Sequence, residues 1–206
     1  SLEIGGVAVH PDDPDIIFVG TGEYPGSGGT GVYRTTNGGL NWKLMPLSPT
    51  PVSVSKMLIP PWGHSFVFAA TNEGIFRSTD TGETWKRVSM SPTSDLATST
   101  TGGFMLAGLQ NFTTARSTNL GESWKTDWDL QNGLPEEVVG RISVAISPSD
   151  SARAYIQVGD REKDKVYVVL KSTNAGLFWW SGIITPPVTA LSGGKTNYLG
   201  QQGTNN

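Results

Sequence analysis

Along most of the chain, apolar and polar residues alternate in short runs broken by clusters of Gly, Pro, Asn, Asp and Ser, the pattern of half-buried strands joined by tight turns. The runs fall into four sets of four. The first set predicts strands at 5–10, 16–21, 31–35 and 41–45, and the second at 52–59, 65–71, 74–78 and 84–89. The third covers 95–100, 103–109, 112–117 and 123–128, and the fourth 140–147, 152–158, 166–172 and 178–184. With 26 Gly and 13 Pro among 206 residues, many short strands are favoured over long helices, and the expected class is all-β.

The turn between the third and fourth strand of every set carries one octet, in the order Ser/Thr, any, Asp/Asn, any, Gly, any, any, Trp. It occurs at Thr35–Trp42, Ser78–Trp85, Ser117–Trp124 and Ser172–Trp179. The tryptophans are 43, 39 and 55 residues apart. That spacing brackets the roughly 40–45 residues of a four-stranded propeller blade, with an insertion before the last unit. Asn37, Asp80, Asn119 and Asn174 can accept hydrogen bonds from backbone N–H groups two or three residues on and close the hairpin from within. Gly39, Gly82, Gly121 and Gly176 supply a positive φ, and Trp42, Trp85, Trp124 and Trp179 can pack over the turn. A basic residue, Arg34, Arg77, Arg116 or Lys171, precedes every octet.

The four octets resemble the Asp-box, or BNR, signature of sialidases, xyloglucan-cleaving propeller hydrolases, sortilin-type receptors and photosystem assembly factors. The stretches Val7–Gly22 and Ser143–Pro148 look most like large secreted bacterial BNR-repeat proteins. The resemblance implies a β-propeller of four-stranded antiparallel blades. They would lie at about 1–47, 48–91, 92–135 and 136–187, with 188–206 a loop or the start of a further blade. Propellers of this kind usually carry six or more blades, so additional sequence or a partner chain is expected to finish the ring. A retaining sialidase would also carry an Arg triad, a Tyr–Glu nucleophile pair and an Arg-Ile-Pro signature ahead of the first box. Here Arg141-Ile142 is followed by Ser143 and lies in the fourth repeat.

Charge narrows the function. A formal net charge of -3 offers no basic footprint for nucleic acid or an anionic membrane surface, and no apolar run is long enough to span a membrane. With no cysteine and only His10 and His64 there is no zinc cluster, and with Asn in three of the four boxes no Ca²⁺ site is expected. Neither metal nor cofactor is implied. The sequon at Asn111 carries little weight.

Up-and-down blades place the octets at one end and the strand-two-to-three loops, with the crossovers, at the other. Propeller ligands usually bind at that loop end. Asp12, Asp13, Asp15 and Asp80 fall at the octet end and read as turn and capping residues. Glu23 and Tyr24 in the Gly-rich loop, and Asp160 and Arg161 with Glu162 and Asp164, fall at the loop end. Glu136, Glu137 and Arg141 stand near the start of the innermost strand of the fourth blade, which makes Arg141 the best ligand-facing candidate. Glu23 and Asp160 are the weak catalytic candidates, because glycoside hydrolysis needs two carboxyl groups about 5–10 Å apart. The Gly22–Gly31 loop lacks the Gly-Lys-Ser/Thr ending of a phosphate loop. Trp62, Trp179 and Trp180 read as packing residues before sugar platforms.

The expectation is a non-catalytic surface or secreted propeller, bacterial in type, that binds glycan or protein. The alternatives are a glycoside hydrolase of the same superfamily and an assembly or scaffold subunit of a larger complex.

Overall fold

The computed structural model describes residues 3–22, 28–110, 113–127, 139–160 and 166–179. The first sheet consists of β1 (Ile4–Val9), β2 (Ile16–Thr21), β3 (Val32–Thr36) and β4 (Lys43–Leu44). The second has β5 (Val54–Leu58), β6 (Val67–Thr71), β7 (Gly74–Ser78) and β8 (Lys86–Ser89). The third contains β9 (Thr93–Thr98), β10 (Met105–Leu109), β11 (Thr114–Ser117) and β12 (Lys125–Asp127), and the fourth β13 (Val139–Ile146), β14 (Ala154–Asp160) and β15 (Val166–Ser172). Each sheet is antiparallel with its strands in chain order. The expected strand at 178–184 lies outside the described residues, apart from Phe178 and Trp179, which belong to the turn. The outermost strands are shorter than the alternation suggests because Asn41 and Trp42, and their counterparts, are used to close the octet turn rather than to pair.

The turn chemistry is the same four times. The hydroxyl of Thr35, Ser78, Ser117 or Ser172 donates to Oδ1 of Asn37, Asp80, Asn119 or Asn174, at 2.7–3.0 Å. The same oxygen accepts from the N–H of Gly39, Gly82, Gly121 or Gly176 at 2.9–3.0 Å. The Asx oxygen accepts in turn from the N–H of Asn41, Thr84, Ser123 or Phe178, four residues on, at 2.9–3.0 Å. This corrects the sequence expectation of a bond two or three residues on: the N–H two residues on goes to the hydroxyl and the one three residues on to the Asx backbone carbonyl, so the Asx side chain spans the whole loop. Two successive left-handed residues make that span, as at Thr81 (φ 54) and Gly82 (φ 82).

No sheet owns a core. Phe18, Val32 and Met45 of the first sheet pack on Met57, Ala69 and Phe76 of the second. Phe68 and Ile75 of the second meet Leu96, Ala107 and Ala115 of the third, and Phe104 and Leu106 of the third meet Val144, Ile156 and Leu170 of the fourth. Apolar burial therefore stabilises neighbouring pairs of sheets rather than single sheets.

Two contacts lock each pair at the octet end. A Cβ added to Gly82 would stand 2.4 Å from the Phe18 ring, one on Gly121 2.4 Å from Phe68 and one on Gly176 3.4 Å from Leu106. These octet glycines thus answer both to a left-handed φ and to the side chain arriving from the preceding sheet. The basic residue ahead of each of the first three octets also crosses to the next sheet: Arg34 pairs with Glu83, Arg77 Nε donates to the Leu120 carbonyl at 3.0 Å, and Arg116 Nε to the Ala175 carbonyl at 2.8 Å. Innermost strands follow the same order, β1 on β5, β5 on β9 and β9 on β13, with no comparable β13–β1 packing among the described residues. The four sheets are blades of a β-propeller.

Candidate functional site

Each innermost strand has a register break near its start: between Ile4 and Gly6, Val54 and Lys56, Thr93 and Asp95, and Val139 and Ile142. A bulge bends the strand and re-aims the side chains beside it. Three of these breaks present a charge at the loop end. Lys56 and Asp95 come directly after theirs, and Arg141 lies within its own.

These three residues form a string across blades two, three and four. Lys56 Nζ stands 3.9 Å from Asp95 Oδ1, and the charge of Arg141 acts on the same carboxyl. Asp95 Oδ1 accepts from the Leu96 N–H at 2.9 Å, while Oδ2 accepts from the Val144 N–H of the next blade at 3.0 Å. The Asp95 side chain is only 14% exposed, and burial pushes its carboxyl above the ordinary value despite the amides and cations around it. Ser94 joins the blades at the same height, its Oγ lying 2.6 Å from the Ile142 carbonyl oxygen and 3.0 Å from that of Gly108. Close approach requires Gly108 to be glycine, since a Cβ there would meet the Ile142 oxygen at 2.6 Å.

The loop end is tied down around this string. Gly22, Asn72 and Gln110 each donate a backbone N–H to the residue before their own innermost strand or close to it: Glu3, Ser53 and Pro92. The Asn72 side-chain oxygen accepts from Val52 and Ser53 at 3.1 and 3.0 Å, and Thr21 Oγ1 accepts from Thr30 and Gly31 at 2.8 and 3.0 Å. Glu73 and Arg87 form an ion pair at 3.5 Å on the same rim.

Of the candidates read from sequence, Arg141 lies in β13, half-buried and within electrostatic reach of Asp95. Asp160 ends β14 at the loop end. Glu23, Tyr24 and Arg161, with Glu136, Glu137, Glu162 and Asp164, lie outside the described residues. Lys56 and Asp95 were missed. Their signal was a charged residue at one offset in successive innermost strands, which is visible only once the repeats are aligned through their bulges.

At the octet end the aspartates sit in turns. Asp13 Oδ1 accepts from the Asp15 N–H at 3.1 Å, and Asp12 Oδ2 lies 2.5 Å from His64 Nδ1 of the second blade. At Asp80, burial alone would raise the carboxyl, but the Thr84 hydroxyl and N–H together with the Ser78 hydroxyl outweigh it and hold the pKa at about 2. Trp62 donates Nε1–H to Thr98 Oγ1 at 2.7 Å and packs on Phe66, and Trp179 packs against the core between blades three and four; Trp180 lies outside the described residues. Among the described residues no group of three or more metal-type ligands comes together, and no helix is long and apolar enough to cross a membrane.

No family model matches the chain, and no curated protein matches it in sequence. Solved structures do. A GH74 enzyme of Niastella koreensis is similar over 86% of this chain and 29% of its own, at 19% identity and a TM-score of 0.66. The GH74 xyloglucanase of Xanthomonas campestris is similar over 85% of this chain and 29% of its own, at 15% identity and a TM-score of 0.63. An ancestral GH74 enzyme is similar over 82% and 25%, at 18% identity and a TM-score of 0.61. The chain thus spans between a quarter and a third of these proteins. At such identity the likeness speaks for architecture: this is a β-propeller chain.

Proposed function

We propose that the chain is a propeller of the Asp-box, BNR-repeat kind, acting outside the cell or at its surface as a non-catalytic module that binds a protein or glycan partner through an acidic group at its loop end. The Lys56–Asp95–Arg141 string carries this reading. Both oxygens of Asp95 are engaged by backbone amides of β9 and β13, so this carboxyl holds blades together while two cations flank it. Lys56 and Arg141 thus place two cations beside one tethered carboxyl at the loop end. A ligand carboxylate or sulfate would find complementary charge there. Glu23, Tyr24, Asp160 and Arg161 are further contacts proposed on the same end, with Tyr24 stacking on a sugar.

Titration with sialosides, β-glucans and acidic peptides tests the reading. An acidic ligand should bind, and Lys56→Ala or Arg141→Ala should each weaken it by about tenfold or more. Because Asp95 titrates above the ordinary carboxyl range, lowering the pH through its pKa removes the negative charge between the two cations, so affinity should rise. Preference for neutral glucans, with no effect of either substitution, would rule this site out.

One observation favours a second reading, glycoside hydrolysis: a carboxyl pushed upward is the kind of group that can hold a proton for a leaving oxygen. Turnover of aryl glycosides and xyloglucan, with Asp95→Asn, Glu23→Gln and Asp160→Asn as controls, decides it. Activity unaltered in all three would eliminate the acids named here. A scaffold role would use the same loop-end surface, with a larger complex as the partner.

A further inference from the structure

The lock between blades is not the same at every seam. Arg77 lies over the Phe66 ring at 5.0 Å and Arg116 over Phe104 at 5.4 Å. The Nε of each donates to the carbonyl at the fourth position of the next octet, Leu120 or Ala175. Ring and carbonyl together hold the guanidinium in one orientation. Phe66 and Phe104 stand directly before β6 and β10, but the residue directly before β2 is Asp15. Arg34 thus receives no ring from that position, and it does not take the bond to Thr81, the fourth residue of its octet. It donates through Nη1 to Glu83, and its buried Nε has no hydrogen-bond partner among the described residues.

This seam between blades one and two holds a pocket of about 240 Å³, lined by Arg34, Lys43 and Glu83 and by Asn37, Asn41 and Trp42 of the first octet. Arg34 and Lys43 are paired in register, and both reach Glu83 of the second blade, Lys43 Nζ lying 3.8 Å from its Oε2. The Arg34 hydrogen bond and charge, with a smaller part from Lys43, hold Glu83 below the ordinary glutamate value, so it stays an ionised acceptor. Lys43 and Glu83 are exposed, which opens the pocket to solvent. Asn37 adds a donor. Its Oδ1 closes the turn, whereas its Nδ2 makes no bond within it, and Asn41 stands where Ser123 accepts from Asn119 Nδ2 at 2.9 Å.

Donors and an ionised acceptor around one small space suit a ligand whose polar groups are hydroxyls, since each hydroxyl both donates and accepts. An anion would meet Glu83 at close range, and a cation would meet Arg34 and Lys43. We propose that this pocket binds one neutral sugar residue, with Glu83 accepting from a hydroxyl, Asn37 Nδ2 and Lys43 donating to sugar oxygens, and Trp42 covering an apolar face of the ring. The volume lies below the about 300–1,000 Å³ of sites for drug-sized ligands, which matches a single ring rather than a chain of them. The site stands at the octet end and shares no residue with the Lys56–Asp95–Arg141 string, so neither depends on the other.

Amide chemical-shift mapping of the chain tests it, with the methyl glycosides of glucose, galactose, mannose and xylose as probes and glucuronate as the charged control. A neutral glycoside should shift the amides of Asn37, Asn41 and Glu83 and the Trp42 indole N–H, saturating at millimolar concentration. Lys43→Ala should weaken this binding about threefold or more and Glu83→Gln about tenfold. Glu83→Gln keeps an acceptor for Arg34, so its unfolding midpoint should stay near that of the parent. Lys125→Ala, at the same register position beside the clamped Arg116, should leave the affinity unchanged. Three results overturn the proposal: no saturable shift at these groups with any of the four glycosides, as when the shifts fall on loop-end amides instead; glucuronate binding there more tightly than every neutral glycoside; or Lys125→Ala weakening the binding as much as Lys43→Ala.

Discussion

Ser78 Oγ serves three partners within one turn: it donates to Asp80 Oδ1 at 2.7 Å and accepts from the N–H groups of Gly82 and Asp80 at 2.9 and 3.3 Å. Removing it with Ser78→Ala strands the Gly82 N–H against the Phe18 ring, where water has no room, and should cost about 1–3 kcal/mol in urea unfolding. Ser78→Thr should cost far less, because Thr35 already performs the role in the first octet. Asp80 gives a pH signature. Its carboxyl is held at about 2 in the folded chain, below the roughly 3.9 of a free aspartate, so its contribution is present above pH 4 and is lost as the pH falls toward 2. Asp80→Asn, which copies the other three octets, should leave stability near pH 7 almost unchanged and flatten the acid limb. The difference should be on the order of 1 kcal/mol once solvent screening of a half-exposed group is allowed for. If parent and variant lose stability in parallel between pH 5 and 2, the carboxylate is not the titrating group.

At the scale of elements, the strands were legible because short runs of strand-forming residues are bounded by turn clusters, and the turns because the octet names its own hydrogen bonds. What could not be read was the shift at the start of each innermost strand. A bulge adds one residue without changing composition, so Lys56 and Asp95 look like ordinary exposed charges until pairing with Ala70 and Gly108 shows where they stand. Packing at the bulge supplies the next prediction. Gly108 lies under the Ile142 carbonyl, and Gly20 likewise under the Val54 side chain, at 2.3 Å from a built Cβ. Gly108→Val should therefore push blade four off blade three and cost about 2–3 kcal/mol. Hydrogen exchange should show β13–β15 losing protection ahead of β5–β8. Uniform loss across all blades would mean that they unfold as one unit.

Over the whole molecule, stability is a sum of blade-to-blade interfaces rather than of separate blade cores. Composition and octets alone determined the all-β class, the repeat and the position of each hairpin turn, because each strand run and each octet is built from residues within ten positions of one another. The three seated Arg and apolar pairs and the Lys56–Asp95–Arg141 string were decided only by tertiary structure. Their partners lie one full blade away along the chain, and the distance between them is set by how sheets stack, a quantity that no local pattern of side chains encodes.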